Sequence, residues 1–241
     1  MQSFSEQIVY EIGRKIAGGD IQPGETLPKV EDISEQYGVS RTVVREALKG
    51  LAARKMIRSN QRSGTVVLQK SNWQLWDLDV ITWLSEVEVK DGEFLIQLTE
   101  IRLALEPLAA SLATQRATEQ DISNIKETFL TLEKTVGNEK EWAKADFYFH
   151  QSIYDASHND LLISMLKLLR KGLIISREKT MSALSLFPEP QFEEPNLEVL
   201  QRHKALHDAL VARDTDEAQV RAIEIMVRAK QLLEKMVEYQ K

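Results

Sequence analysis

At 241 residues the chain is long enough for one large or two modest domains. Its 43% hydrophobic and 28% charged residues exclude a disordered chain, and the absence of cysteine excludes disulfide frameworks, thiolate zinc sites, iron–sulfur clusters and cysteine nucleophiles together. Ten Gly and six Pro are few, which favours helices over a turn-rich all-β fold. No apolar run approaches the roughly 20 residues of a membrane-spanning helix, and the start has no apolar core of a secretory signal. A cytoplasmic, mainly α protein is expected.

The net charge of −6 hides an asymmetry. Residues 1–70 carry 11 Lys/Arg against 8 Asp/Glu, whereas the remainder is acidic. Between Arg41 and Arg62 seven basic residues (Arg41, Arg45, Lys49, Arg54, Lys55, Arg58 and Arg62) face Glu46 alone. That local excess suits phosphate neutralisation, though a solvated basic face would look the same.

In chain order, Ile8, Ile12, Lys15 and Ile16 follow a 3.6-residue period that predicts a helix, stopped by Gly18-Gly19. Gln22-Pro23-Gly24-Glu25 reads as a turn, and Leu27-Pro28 leads into a second helix over Val30–Tyr37, ended by Gly38. Ser40 stands where an N-cap belongs, ahead of a third helix that begins Arg41-Thr42-Val43-Val44-Arg45. Ile57–Ser59 and Thr65–Leu68 flank a polar, Gly-containing loop and predict a hairpin. Ile33, Tyr37, Val39, Val44 and Ala47 are spaced to be buried together at a helix crossing, which leaves Arg41, Thr42 and Arg45 outward. That is a winged helix-turn-helix, in which the start of the second helix enters the major groove and arginine can donate bidentately to guanine. Arg62 falls at the wing tip, within reach of a phosphate or the minor groove.

Pro23-Gly24, Leu27-Pro28, the Gly38-Val39-Ser40-Arg41 turn, Val44-Arg45-Glu46-Ala47-Leu48 and Gly64-Thr65-x-Val67 together resemble the GntR family of bacterial transcription factors over most of residues 5–68. The resemblance implies operator binding through Lys29, Ser40, Arg41, Thr42, Arg45, Lys49, Arg62 and Gly64. In relatives an arginine often follows the Leu-Pro pair and contacts DNA; here Glu31 stands at that place, leaving Lys29 as a substitute.

Beyond Lys70 the composition shifts, so the boundary is placed near Ser71: a DNA-binding domain over 1–70, and an all-α helical-bundle effector-binding and dimerisation domain over 71–241. Amphipathic periodicity and the caps Thr118-x-x-Asp121, Asn138-x-x-Glu141, Asn159 and Asp214-x-x-Glu217 predict helices near 75–88, 92–115, 119–136, 140–156, 160–184, 196–212 and 216–238. Asp146 and His150 lie one turn apart on one helix face, and His203 sits early on a later helix. The pair suits a divalent metal if a third ligand arrives from a neighbour, or a plain buried hydrogen bond if none does. A metal-dependent enzyme with these three ligands, or a helical scaffold without any ligand, are the competing readings; the enzyme reading gives residues 1–70 no role.

Ile101-Arg102-x-x-Leu105-Glu106-Pro107, Asp146-x-x-x-His150, Ala156-Ser157-x-Asn159 and His203-Lys204-Ala205-Leu206 resemble the C-terminal effector domain of the FadR subfamily, over roughly residues 75–235. The resemblance implies a homodimeric regulator, not an enzyme, with Asp146, His150 and His203 as ligands of a divalent metal, zinc first and nickel or manganese as alternatives. The fourth ligand of relatives falls near Met226, a poor zinc ligand, so coordination positions are left open. His207 is the only spare imidazole nearby and is expected to face outward. Open positions suit a chelating hydroxy-acid, whose carboxylate Arg102 could clamp, with Arg177 a second candidate. Arg102 could instead pair with Glu106. Asn72-Trp73-x-x-x-Asp77-x-Asp79, Lys204 and Met226 resemble subfamily members that govern sugar-acid catabolism, which implies a sugar acid as effector.

Overall fold

The computed structural model describes residues 3–60, 64–87, 92–189 and 195–239, and falls into two compact units, Met1–Val87 and Glu88–Lys241. The first unit contains α1 (Phe4–Ala17), α2 (Val30–Tyr37), α3 (Arg41–Ala53), the strands β1 (Ile57–Asn60) and β2 (Gly64–Val67), and α4 (Leu78–Val87). α1 begins at a capping box in which Ser3 and Glu6 satisfy each other's backbone amides. Ile8, Ile12 and Ile16 form its buried face, as the period predicts, with Lys15 exposed at its edge.

Gly38 ends α2 at φ 62°, the left-handed region that favours glycine, and its amide closes on the Ser34 and Glu35 carbonyls. Ser40 then caps α3 by accepting from the Val43 amide. Ile33, Val44 and Ala47 are buried at the crossing of α2 and α3, while Tyr37 and Val39 are only half-buried. β1 and β2 pair antiparallel from Ile57↔Val67 to Asn60↔Gly64. A third segment joins the hairpin: Thr26 bridges Val66, and the Leu27 amide donates to the Thr65 carbonyl at 2.8 Å. Sequence reading makes that segment a turn and a helix lead-in, since one bridged residue leaves no alternation to see.

The first unit also extends beyond the boundary expected near Ser71. α4 packs on α1, with Trp83 buried, and a Cβ built on Gly13 would lie 2.4–2.7 Å from the Trp83 ring. Arg54 holds the start of α4 by ion pairs to Asp77, at 3.0 Å, and to Asp79, and it lies over the Trp83 ring. One of the seven basic residues counted towards a DNA footprint is therefore engaged inside its own unit. Gly13→Ala tests this packing. In an open helix alanine would stabilise by about 1 kcal/mol; here overpacking against a buried ring is expected to destabilise the unit by about 1–3 kcal/mol in urea unfolding.

The second unit is a bundle of α5 (Glu93–Arg116), α6 (Glu119–Lys134), α7 (Glu139–Ala156), α8 (Asp160–Leu186), α9 (Pro195–Val211) and α10 (Thr215–Tyr239). Caps start the helices where sequence places them: Thr118 forms a capping box with Asp121, Asn138 and Asn159 accept from the first amides of α7 and α8, and Asp214 accepts from Glu217. α5 packs against α7, α8, α9 and α10, so it is the helix around which the others gather. It buries Arg102 and Glu106 along with Leu95, Leu98 and Ala109, a mixture with no clean amphipathic stripe. No described helix is long and apolar enough to cross a membrane.

Candidate functional site

On the first unit, the outward face of α3 presents Arg41, Thr42, Arg45 and Lys49 to solvent, and Lys29, Ser40 and Gly64 are exposed as well. Arg45 makes no ion pair among the described residues, whereas Lys49 pairs with Glu46 at 2.8 Å and Arg41 with Glu31 at 3.3 Å. Arg62 lies outside the described residues.

In the second unit six charged or titratable side chains meet in the bundle interior: Arg102 and Glu106 from α5, Asp146 and His150 from α7, Arg177 from α8 and His203 from α9. Each is at most 4% exposed. Burying such groups is unfavourable even when they are paired, and an apolar core of equal volume would often be as stable. Stability alone therefore does not account for them. Two carboxylates and two guanidiniums balance formally, which leaves the two imidazoles to set the site's character.

Ligand atoms of Asp146, His150 and His203 all lie within 4.8 Å of one another, and no other such cluster occurs among the described residues. Asp146 Oδ1 is 2.7 Å from His203 Nε2 and 3.7 Å from His150 Nε2, and the two Nε2 atoms are 3.3 Å apart. The opposite nitrogens are both engaged. His203 Nδ1 lies 2.7 Å from the Val199 carbonyl, which can only accept, so Nδ1 carries the proton. His150 Nδ1 lies against the Glu106 carboxylate as an ion pair, without the geometry of a hydrogen bond. Both Nε2 atoms and an Asp146 carboxylate oxygen thus converge on one buried point, a spacing that could hold a metal ion. A carboxylate or carbonyl behind each imidazole is the outer support that metal-ligating histidines use. The donor set fits a divalent ion with two nitrogens and one oxygen, and Met226, fully buried on α10, offers only a thioether.

The electrostatics agree with this arrangement. Burial pushes the Asp146 carboxyl up, but Arg177 foremost and then His150 and His203 outweigh it and hold it well below the usual range. Glu106 is likewise raised by burial and lowered further by His150 and Arg102, so it stays ionised. Burial pulls His150 down, only partly offset by Glu106 and Asp146, so its imidazole gives up its second proton more readily than a free one, as ligation requires. Tyr154 is pushed up by burial and then by Glu106, so its hydroxyl keeps its proton.

Of the two arginines read as carboxylate clamps, Arg102 is bound through Nε to Glu106 at 2.9 Å, the competing pairing that sequence reading leaves open. Arg177 donates through Nε to Asp146, and its buried Nη2 has no hydrogen-bond partner, lying 3.7 Å from Glu106. His207 does not join the cluster. It is mostly covered rather than outward, stacked on Phe129 at 4.5 Å. Glu106 and the Val199 carbonyl are the site groups that sequence reading missed. Glu106 was visible only as a partner for Arg102, because nothing in one sequence reveals that α5 faces His150.

Residues 97–228 match the FCD domain and residues 4–67 match the bacterial regulatory proteins of the gntR family. The galactonate operon transcriptional repressor of Escherichia coli K12 is 26% identical over 239 residues, 96% of this chain and 97% of its own length. The uncharacterized HTH-type transcriptional regulator YieP of the same organism is 31% identical, covering 69% of this chain and 73% of its own. A solved structure of Lar, described as controlling expression of the Listeria monocytogenes agr system, superposes with a TM-score of 0.65 at 14% identity over 98% of each chain, a likeness of fold alone. With a winged helix-turn-helix over its first residues and an FCD domain over more than half its length, the chain belongs to the GntR family and is a transcription regulator rather than an enzyme.

Proposed function

We propose that this regulator is a repressor whose second unit holds a divalent ion, zinc first, on Asp146, His150 and His203, and whose effector is a sugar acid that completes the ion's coordination. The observation that carries the reading is the convergence of two imidazole Nε2 atoms and a carboxylate on one buried point. The Nη2 of Arg177, which lies 3.7 Å from Glu106 and makes no hydrogen bond, supplies a donor for the effector's carboxylate, and Arg102, bound to Glu106, stands beside it. The named galactonate repressor among the relatives makes galactonate the first acid to try. An effector acts only if it binds two arrangements of the protein with different affinity. The test is a thermal-shift screen of sugar acids, with zinc and with chelator. A ligand that binds the folded state raises its apparent stability, so galactonate or a close relative should raise the midpoint with zinc and fail to do so with chelator.

On the first unit we propose that Arg41, Thr42 and Arg45 read base edges, with Lys29, Ser40, Lys49, Arg62 and Gly64 on the backbone, in a cytoplasmic homodimer on a pseudo-palindromic operator. One recognition helix reads only a few base pairs, and two-fold pairing doubles the contacts. Arg45, exposed and without an ion pair among the described residues, supports the reading. Arg45→Ala is expected to cost about 1–3 kcal/mol on operator DNA and to relax sequence preference. Lys49→Ala should instead weaken all duplexes alike and flatten the salt dependence by about one unit. Equal losses on operator and random DNA for Arg45→Ala, in a gel-retardation series, would contradict this docking.

A further inference from the structure

We propose that Glu31 determines operator specificity by holding the Arg41 guanidinium at the start of α3 and keeping it off the phosphate backbone. The proposal rests on the reading of α3 as the base-reading helix. Glu31 is the second residue of α2 and Arg41 the first of α3, and their side chains meet at 3.3 Å. The turn between the helices is fixed, because Gly38 adopts the left-handed conformation, the Val39 amide donates to the Ser34 carbonyl at 3.1 Å, and the Ser34 hydroxyl donates to the Val39 carbonyl at 2.5 Å. The distance between the two helix starts is therefore set by backbone rather than by the pair itself. The other carboxylate at the start of α2 is already engaged, since Asp32 accepts from the Lys29 amide at 3.2 Å.

Both partners are about half exposed, 63% for the Arg41 side chain and 49% for Glu31, and such a pair contributes little to folding in water. Its effect belongs to the docked state, where a groove displaces water and phosphates come close. A guanidinium has five N–H donors. Glu31 engages Nη1 only, which leaves Nε and Nη2, the parallel pair of donors that guanine O6 and N7 accept. A tethered arginine loses less side-chain freedom on reaching a base, and while its Nη1 is held by Glu31 it is less free to swing onto a phosphate. Affinity for arbitrary DNA falls, and the ratio of specific to non-specific binding rises.

The test uses the full-length wild type, Glu31→Gln, Arg41→Ala and the double variant, each selected on a randomised duplex library. Each is then titrated on the wild-type-selected duplex and on a scrambled duplex over a series of potassium chloride concentrations. Glu31→Gln is expected to bind the scrambled duplex more tightly, with a salt dependence steeper by about one unit. It should lose about tenfold in preference for the selected duplex, the lower range of one bidentate arginine–guanine pair. In the Arg41→Ala background the same change should alter preference no further, since the two residues act as a unit. An Arg41→Ala loss of preference without one in Glu31→Gln overturns this proposal alone, as does a Glu31→Gln effect that persists without Arg41. An Arg41→Ala protein that keeps the wild-type preference overturns the proposal and the reading of α3 together.

Discussion

His150→Ala protein is expected to emerge from purification without a divalent ion and to lose its thermal response to both zinc and sugar acids. In the wild type, zinc at about 100 times its dissociation constant is expected to stabilise the protein by about 2.7 kcal/mol, worth roughly 5–10 °C in a domain of this size. The variant keeps Asp146 and His203, whose contact at 2.7 Å survives, but it loses one of the two nitrogens and leaves Glu106 without its imidazole partner. Outer-shell partners alone are worth 10–100-fold in metal affinity, so loss of a ligand itself should exceed about 100-fold. Elemental analysis reads the ion directly, and a chelator-treated wild type supplies the reference state. Sugar-acid binding should fall in parallel, because the acid's oxygens would then have no ion to complete. A His150→Ala protein that retains both metal content and effector affinity would reduce the cluster to a buried hydrogen-bond network.

The contrast between Asp146/His150 and Glu106 marks how far one sequence can be read. Asp146 and His150 share one helix, so the 3.6-residue period alone places them one turn apart. His203 is joined to them by a resemblance, since periodicity says nothing about which helices face one another. Glu106 reaches His150 from α5, a helix whose mixed burial of Arg102, Glu106 and Leu98 gives no stripe by which to orient it. In the first unit α2 and the cap of α3 lie where local chemistry puts them: Gly38 and Ser40 each answer a backbone need that the residue type announces. The extension of that unit to Val87 was hidden for the opposite reason. It depends on Gly13 making room for Trp83 some seventy residues on, and a glycine inside a helical pattern reads as a weakness until its neighbour is known.

Arg177→Met is expected to destabilise the metal-free protein strongly and the zinc-loaded protein much less. Arg177 is 3% exposed, donates to Asp146 through Nε and lies 3.7 Å from Glu106, so its removal leaves two buried carboxylates with Arg102 as their one remaining guanidinium. Breaking a buried ion pair by deleting one partner costs about 3–5 kcal/mol, chiefly the penalty of the charge left behind. Methionine fills most of the volume, so a cavity contributes little to the loss. A divalent ion held by Asp146 supplies positive charge at the same carboxylate and offsets much of that penalty. Arg228→Met is the control, because Arg228 pairs with the buried Glu198 at 2.5 Å and makes no ion pair with Asp146, His150 or His203 among the described residues. Urea unfolding in chelator and in zinc should therefore give a loss for Arg177→Met that shrinks when zinc is present, and a loss for Arg228→Met that does not change. Equal losses for Arg177→Met in the two conditions would mean that no ion sits against Asp146, and the carboxylate would then depend on Arg177 alone.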